Sequence, residues 1–204
     1  MYTLYWAPNT GAFAPDVVLT LAGAPFERQR VDYDGKEQQG DAYRKLNPMG
    51  QIPVLLLPDG TAMAESAAMV LHLVDRFPEA KLAPPPGTSA RAAFDRWLLF
   101  LAVNVYGADL RFYYSGRFTA DPAGAEGVRQ AAERDLETQF AMLEVALYPG
   151  PFLLGDTFGA ADIYLLMLAD WYPPAKALPH VGRLCAALKE DPRIAEVRKL
   201  YELD

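Results

Sequence analysis

The residue types that most directly indicate chemistry are a carboxylate and a hydroxyl that lie side by side at the expected start of a helix. The two residues are Glu65 and Ser66. A hydroxyl and the free N–H groups of a helix N-terminus can hold a carboxylate. Glu65 can pair with an ammonium group next to that carboxylate. The pair would therefore fit the end of an α-amino acid, while ordinary helix capping by Ser66 is the alternative that needs no ligand.

A second candidate binding element is a proline at the start of an apolar run. Pro53 follows Ile52 in the segment Asn47-Pro48-Met49-Gly50-Gln51-Ile52-Pro53-Val54-Leu55. Proline lacks a backbone donor and therefore lies at strand starts or edges. If the Ile52–Pro53 bond is cis, the N–H and C=O of Ile52 face outward and can pair with an extended peptide. An ordinary trans proline is the alternative, because few X–Pro bonds are cis.

The elements that must position these residues alternate between strand and helix over the first 80 residues. Apolar residues at helical spacing alternate with short apolar or β-branched runs and with turn residues. The pattern predicts strands at 2–6, 28–31, 53–57 and 61–63, and helices at 13–21, 41–46 and from 66 onward. A right-handed βαβ unit followed by a ββα unit is the thioredoxin-like arrangement.

Beyond residue 88 the strand signal nearly disappears. The proline-rich stretch 83–88 cannot continue a helix and reads as part of a linker. Ser89 is expected to cap a long helix, and later helices are expected around 128–143 and at 160–171, 178–189 and 192–203. Asp162 can bond back to the backbone N–H of Gly159, and Phe158 has staple spacing to Ile163, which predicts a folding signal. We expect domains at 1–80 and 89–204, joined by a linker at 81–88, in an α+β protein.

Composition excludes several classes of function. The chain has 204 residues, 51% of them hydrophobic, and a net charge of −7, so nucleic acid is an unfavourable partner. The longest apolar run, 97–103, is far shorter than the roughly 20 residues of a membrane span. The N-terminus has no basic region typical of a signal peptide. Cys185 is the only cysteine, which excludes an internal disulfide and fits a cytoplasmic protein.

Taken in order along essentially the whole chain, these features resemble the glutathione transferase family. The resemblance rests on segment 47–55, the Glu65-Ser66 pair, the linker and the box at 159–162. It implies that Ile52 and a cis Pro53 bind the cysteinyl backbone of glutathione, and that Glu65 and Ser66 bind its γ-glutamyl group. It also implies a Gln51 contact to the tripeptide, a Lys36 contact to the glycine carboxylate, and a homodimer that detoxifies hydrophobic electrophiles.

The group that activates the thiol is less determined by the resemblance. A thiol has a pKa of ~8.5, and each unit of lowering takes ~1.4 kcal/mol of selective stabilisation of the anion. The loop at 7–12 lacks the serine or cysteine common in the family, and Gly11 stands where the beta class has its cysteine. The sequence looks most like nu-type bacterial enzymes, which favours Thr10 and Asn9 over Tyr5 as the catalytic residues. A plain turn without catalysis is the alternative.

Aromatic residues early in the helical half are candidates for the electrophile pocket. By resemblance, Tyr106 with Tyr113 or Tyr114 would line it, although helix packing or a dimer contact explains each equally well. Neither His72 nor His180 has metal-ligating neighbours in the sequence, so no metal is expected. Two other functions stay open: reduction of disulfides or peroxides by the thiols of glutathione itself, and a glutathione-transferase-like binding or regulatory protein without turnover.

Overall fold

The computed structural model describes residues 1–203 and divides them into two compact units. The N-terminal unit comprises Met1–Pro86 together with the segment from Lys189 onward, and the helical unit comprises Gly87–Leu188. The first contains a small mixed sheet and the second is built from helices. The predicted fold class, a thioredoxin-like domain and an all-helical domain, is confirmed.

The sheet of the N-terminal unit has four strands in the order β2-β1-β3-β4. Its strands are β1 (Tyr2–Trp6), β2 (Phe26–Arg30), β3 (Val54–Leu56) and β4 (Ala62–Met63). Strand β1 is parallel to β2 and antiparallel to β3, and β3 is antiparallel to β4. Buried and half-buried side chains alternate along β1, as expected for a strand between two layers. The βαβ and ββα units expected from the sequence are both present.

Four α-helices belong to this unit: α1 (Phe13–Leu21), α2 (Asp41–Arg44), α3 (Ser66–Arg76) and α9 (Pro192–Leu200). Helix α1 is nearly all buried and packs against α3 and α9. Gly23, at φ +61°, follows the last turn of α1 in the left-handed conformation that glycine adopts without strain. The apolar spacing in the sequence had predicted this helix and its end.

Helix α9 lies in a different unit from the one expected. The sequence assigned residues 89–204 to the helical domain, whereas the segment from Lys189 onward groups with the N-terminal unit. Ile194 and Val197 are buried, α9 packs on α1, and Tyr201 is completely inaccessible to solvent. Helical periodicity identifies the buried face of α9 but carries no information on which neighbour covers that face.

The helical unit begins with a nearly continuous helical segment. It runs through α4 (Ser89–Phe100), a π-helical stretch (Leu101–Val105) and α5 (Tyr106–Tyr113). Thr88, not Ser89 as predicted, caps α4, because its hydroxyl accepts a hydrogen bond from the Arg91 N–H at 3.1 Å. Both residues are good capping types, so sequence alone does not choose between adjacent positions.

The helical unit also contains α6 (Ala125–Ala146), α7 (Ala160–Trp171), which has the predicted bounds, and α8 (Pro179–Lys189). Helix α7 packs against α4 and α5. Residues 160–169 of α7 are all buried. The Asp162 carboxylate accepts hydrogen bonds from Gly159 N at 2.8 Å and Leu153 N at 2.9 Å, and its burial raises its pKa to about 6. None of the helices in residues 1–203 is long and apolar enough to cross a membrane.

Candidate functional site

Four connecting segments of the N-terminal unit leave the sheet at one edge. Trp6 pairs with Arg30 in the parallel ladder, and Tyr5 pairs with Val54 in the antiparallel one. Leu55 pairs with Met63 in the hairpin. The carboxyl ends of β1, β2 and β4 and the amino end of β3 therefore lie along the same edge of the sheet.

Every site residue predicted in this unit lies on one of those segments or at the strand end that leads into it. Strand β1 ends in Tyr5 and Trp6 and is followed by the β1–α1 loop, residues 7–12. The residues concerned are Tyr5, Asn9, Thr10, Lys36, Gln51, Ile52, Pro53, Glu65 and Ser66. The topology thus brings together residues that are far apart in the sequence.

The peptide between Gln51 and Ile52 is held by two side chains. The Gln51 carbonyl oxygen accepts hydrogen bonds from Asn47 Nδ2 at 2.8 Å and from the Tyr43 hydroxyl at 3.1 Å. Asn47 and Tyr43 are both buried, and burial raises the pKa of the Tyr43 hydroxyl, which keeps it protonated as a donor. Since a trans peptide is planar with its N–H opposite its C=O, fixing the carbonyl also fixes the direction of the Ile52 N–H.

The turn before Gln51 depends on Asn47 and Gly50. Asn47 Oδ1 accepts a hydrogen bond from Met49 N at 3.1 Å, which closes an Asx turn. Gly50 has φ +62°, and a Cβ at this position would come within 2.8 Å of the Gln38 carbonyl oxygen. A side chain there would be both strained and obstructed. The Asn-Pro-x-Gly spacing is therefore required by the local backbone.

The ends of the β3–β4 hairpin carry the remaining predicted binding residues. The Ile52–Pro53 peptide bond is cis, and both residues are buried. Glu65 is exposed and has φ +67°, a conformation that costs free energy for a non-glycine residue. Ser66 is buried and is the first residue of α3, not its capping residue. The N–H groups of the first turn of α3 can attract an anion at this edge.

The β1–α1 loop contains both proposed thiol-activating residues. Asn9 is exposed and has φ +52°. The Thr10 hydroxyl donates a hydrogen bond to the Ala7 carbonyl oxygen at 2.7 Å. Because a hydroxyl has one proton, Thr10 must give up this bond in order to donate to another acceptor. Tyr5 is half-buried, and its ring meets the edge of Tyr43 at 6.0 Å between centroids.

Lys36 lies in the segment between β2 and α2. It is exposed and has φ +61°. The segment is folded on itself: Glu37 Oε2 accepts from Asp32 N at 2.7 Å, and Asp32 Oδ1 accepts from Gly35 N at 2.9 Å. These bonds hold the backbone around Lys36 while its ammonium group faces solvent.

The three predicted pocket residues lie in and just after α5, within the helical unit. Tyr106 packs edge-on against Trp171 at 5.1 Å, and the Tyr113 hydroxyl donates to the Trp171 carbonyl. The Tyr114 ring lies under the Arg117 guanidinium at 4.0 Å. Tyr113 and Tyr114 are 52% and 41% exposed, so part of this aromatic surface is open to solvent.

Each of the two histidines pairs with a polar side chain. His72 Nε2 lies 3.2 Å from the Tyr2 hydroxyl, and His180 Nδ1 lies 2.8 Å from a carboxylate oxygen of Glu144. Within residues 1–203, no group of three or more His, Cys, Asp or Glu side chains is placed to hold a metal ion.

Two family models match this chain, one in each half of the sequence. A family model described as "Glutathione S-transferase, N-terminal domain" matches residues 13–76, and one described as "Glutathione S-transferase, C-terminal domain" matches residues 126–199. The chain belongs to the glutathione S-transferase family. The family resemblance read from the sequence is thereby confirmed.

Relatives of this glutathione S-transferase family member match it over nearly their full length. An uncharacterised GST-like protein of Escherichia coli K12, YncG, is 29% identical and covers 100% of both chains. The glutathione S-transferase GstA of E. coli O157:H7 is 27% identical over 95% of both. A glutathione transferase homologue from Sulfitobacter, solved with bound glutathione, is 25% identical, with a TM-score of 0.90 and 98% coverage of both chains.

The sequence did not identify the two buried side chains that hold the Gln51–Ile52 peptide of this glutathione S-transferase family member. Tyr43 lies on a short polar helix and carried no signal of its own. Asn47 was noticed only as part of a motif, although an Asn-Pro pair followed by glycine is typical of a turn held by the asparagine side chain. The pairing of both with the Gln51 carbonyl appears only in three dimensions.

Proposed function

We propose that this glutathione S-transferase family member binds glutathione and stabilises its thiolate for attack on a hydrophobic electrophile. The observation that carries the proposal is the convergence of the β1–α1 loop, the Lys36 segment, the Ile52–Pro53 turn and the start of α3 at one sheet edge. A short, extended peptide with charges at both ends matches an edge that offers backbone groups and opposite charges. The solved Sulfitobacter homologue with bound glutathione supports this choice of ligand.

The tripeptide would lie across the edge in a defined direction. Its γ-glutamyl ammonium would pair with Glu65, and the neighbouring carboxylate would meet the Ser66 hydroxyl and the N-terminus of α3. The cysteinyl backbone would bond to the N–H and C=O of Ile52 beside Pro53, with Gln51 in contact. The glycine carboxylate would then extend toward Lys36.

The thiol would lie at the β1–α1 loop. The Asn9 side-chain amide can donate to the sulfur directly, because it is exposed at the loop. Thr10 would exchange its bond to the Ala7 carbonyl for one to the sulfur. The start of α1 favours a negative charge at the same place. Tyr5, near the end of β1, is a third candidate, and its ring contacts the Tyr43 ring.

The second substrate would be a small hydrophobic electrophile. Tyr106, Tyr113 and Tyr114 are the residues that we propose for its binding, since they offer ring faces and edges in the helical unit. Catalysis would rest on thiolate stabilisation and proximity. We place this detoxifying activity in the cytoplasm, where glutathione is kept reduced, and we propose a homodimer as the working form.

Two specific observations favour other uses of the same site. The only cysteine, Cys185, is buried in the helical unit, so any reduction of disulfides or peroxides would proceed through thiols of glutathione molecules. The engaged Thr10 hydroxyl favours glutathione binding without turnover. The reductase shares the glutathione-binding step with the main proposal.

Glutathione titration followed by calorimetry and thermal unfolding tests the binding step. We expect saturable binding and a rise in Tm at millimolar glutathione, and a loss of at least about tenfold in affinity for Glu65→Gln and Ser66→Ala, because each removes a charge-assisted or anion-binding contact. Glu79→Gln and Ser89→Ala change the same residue types at exposed positions elsewhere and should bind normally. Absence of binding by the unaltered protein would reject both the transferase and the glutathione-dependent reductase.

Assays with an aryl halide and with a mixed disulfide separate the three uses. Conjugation of the aryl halide supports the transferase, disulfide reduction alone supports the reductase, and binding without either supports the non-catalytic protein. Under the main proposal, Thr10→Ala and Asn9→Ala lower kcat more than they weaken glutathione binding. An unchanged kcat in either variant removes that residue from its role.

A further inference from the structure

One buried tyrosine near the far end of the described chain touches both ends of the β1–α1 loop. Trp6 is the last residue of β1, and its ring lies 4.9 Å from the Tyr201 ring, centroid to centroid. Phe13 is the first residue of α1, and its ring meets Tyr201 edge-on at 5.6 Å. Tyr201 is itself completely buried. All three residues belong to the N-terminal unit.

The hydroxyl of the same tyrosine is bonded to α1. It donates to Asp16 Oδ2 at 3.2 Å, and Asp16 is fully buried one turn into the helix. Arg28 of β2 donates to the two oxygens of this carboxylate at 2.8 and 2.7 Å. The Tyr201 phenol therefore bonds to the buried carboxylate of a charge pair that connects α1 to β2. Burial and the nearby Asp16 charge raise the pKa of Tyr201, which keeps it a donor.

We propose that Tyr201 is a positioning residue for the thiol-activating loop: it fixes the two ends of the loop relative to each other and so sets where Asn9 and Thr10 stand. The inference rests on the proposed function for its catalytic consequence. Tyr201 touches neither substrate nor the loop's polar groups, so its effect passes through Trp6, Phe13 and Asp16.

The physical basis is the shortness of the loop. Residues 7–12 span the gap between Trp6 and Phe13, and Ala7, Gly11 and Ala12 are buried, so displacement of either end is transmitted directly to Asn9 and Thr10. Aromatic pairs at these separations are worth roughly 0.5–1.5 kcal/mol each beyond the area that they bury. Thiolate stabilisation depends on donor placement, and a shift of about 1 Å can cost on the order of a hundredfold in rate.

Graded substitutions at Tyr201 test the proposal in the full chain. Tyr201→Phe retains both ring contacts and loses only the hydroxyl bond. Tyr201→Leu removes the aromatic ring that Trp6 and Phe13 contact. Tyr201→Met is the substitute if the leucine variant does not fold, because methionine fills irregular space without an aromatic ring. Tyr2→Leu is the matched control: Tyr2 is a buried tyrosine of the same unit, with ring contacts to His72 and Phe77 at the opposite end of β1.

We expect three results in the leucine or methionine variant. Amide hydrogen exchange in residues 7–12 accelerates relative to the Tyr2→Leu control. The kcat for conjugation falls about ten- to a hundredfold, while the Kd for glutathione changes less than about threefold, because Ile52, Glu65 and Ser66 are untouched. The ultraviolet titration of the bound thiolate moves to higher pH, and Tyr201→Phe recovers most of the kcat.

Two outcomes would overturn the assignment. Unchanged exchange at residues 7–12 shows that Tyr201 does not hold the loop, whatever the activity. Faster exchange with kcat and thiolate titration equal to those of the Tyr2→Leu control shows that Tyr201 supports the fold and does not tune the site. If the unaltered protein binds no glutathione, the proposed function fails, while the exchange measurement still decides whether Tyr201 holds the loop.

Discussion

The Gln51 carbonyl receives two hydrogen bonds from buried side chains, and its own peptide carries the N–H that we assign to glutathione. Tyr43 and Asn47 thus act on the ligand only through the orientation of the Gln51–Ile52 peptide. A ligand that bonds to a fixed N–H loses less free energy to ordering than one that must first orient a mobile loop. The affinity of the site should therefore depend on residues that never touch glutathione.

Replacing Asn47 tests this indirect support. Asn47→Ala removes the bond to Gln51 O and the Asx turn closed by Met49 N, and we expect the Kd for glutathione to rise about tenfold. Tyr43→Phe removes only the weaker bond and should raise it about threefold. Calorimetric titration measures both, with Asn104→Ala, the same change at an exposed position of the helical unit, as control. Equal affinities in all variants would show that the peptide keeps its orientation without them.

Asp109 is the most unusual side chain of the helical unit. It is 2% exposed, and both of its carboxylate oxygens are buried without a hydrogen-bond partner among residues 1–203. Burial raises its pKa to about 8, and the Asp109 charge contributes to raising the pKa values of Tyr113 and Tyr172. Asp109 is therefore a neutral acid over most of the physiological range.

Because the pKa of Asp109 is raised, the free energy of unfolding should depend on pH. Between about pH 4 and about pH 8 the folded state keeps a proton that the unfolded chain releases, so Asp109 lowers the free energy of unfolding progressively as pH rises through this window. Asp109→Asn cannot ionise, and we expect its stability to be close to that of the unaltered protein at pH 4 and higher by about 5 kcal/mol at pH 8. Urea unfolding across this pH range measures the difference.

A surface carboxylate provides the control for Asp109. Asp135 is 52% exposed and pairs with Arg111, so Asp135→Asn should change the unfolding free energy by less than about 1 kcal/mol at any pH in the window. A pH-independent difference between Asp109→Asn and the unaltered protein would contradict the raised pKa.

At the scale of elements, the start of α8 depends on a side chain from α6. The Glu144 carboxylate accepts hydrogen bonds from the backbone N–H groups of His180 and Val181 at 2.9 Å, and it also contacts His180 Nδ1. These N–H groups lie in the first turn of α8, where no intrahelical acceptor exists. A long-range contact therefore does the work that a local capping residue usually does.

Removing this carboxylate should destabilise the helical unit. We expect Glu144→Ala to lower the free energy of unfolding by about 2 kcal/mol, because two backbone donors lose their acceptor in a partly buried place. Glu137→Ala, at an exposed position of the same helix, should have an effect below about 0.5 kcal/mol. Chemical denaturation measures both, and equal effects would show that α8 starts without the help of Glu144.

Local signals predicted most elements, and failed where contacts are non-local. The bounds of α1 and α7 follow from apolar spacing with clear stop and start signals, and the Asp162 bond to Gly159 follows from residues three apart. The capping of α8 by Glu144 joins residues 36 apart. The Tyr201–Asp16 bond joins residues 185 apart. No periodicity or motif reports such pairings, which is why the packing of α9 on the N-terminal unit was not predicted from the sequence.

For the molecule as a whole, we propose a surface of the helical unit for the homodimer. It consists of exposed apolar side chains on α4, on α6 and on the π-helical stretch that follows α4. Arg96 and Trp97 of α4 line a groove together with Met142 and Val145 of α6. Val145 is 74% exposed, and Leu99 and Val103 are 50% and 68% exposed. Exposed apolar patches of this kind mark association surfaces.

A charge placed on this surface should dissociate the dimer. We expect Val145→Glu to shift the mass measured by light scattering after gel filtration from two chains to one at micromolar concentration, because the partner surface would have to desolvate an unpaired carboxylate. Leu200→Glu makes the same kind of change on α9, which belongs to the N-terminal unit, and should leave the mass unchanged. A monomeric unaltered protein would reject the homodimer outright.

The burial of Tyr201 against Trp6 and Phe13 also governs the order in which the protein can mature during synthesis. A ribosome releases the strands and helices of the first unit early, yet the ring that closes its interior is translated only after the whole helical unit. Until then the rings of Trp6 and Phe13 and the Asp16–Arg28 pair lack their contact with Tyr201. The nascent N-terminal unit therefore lacks this ring until Tyr201 has been synthesised and has left the ribosome.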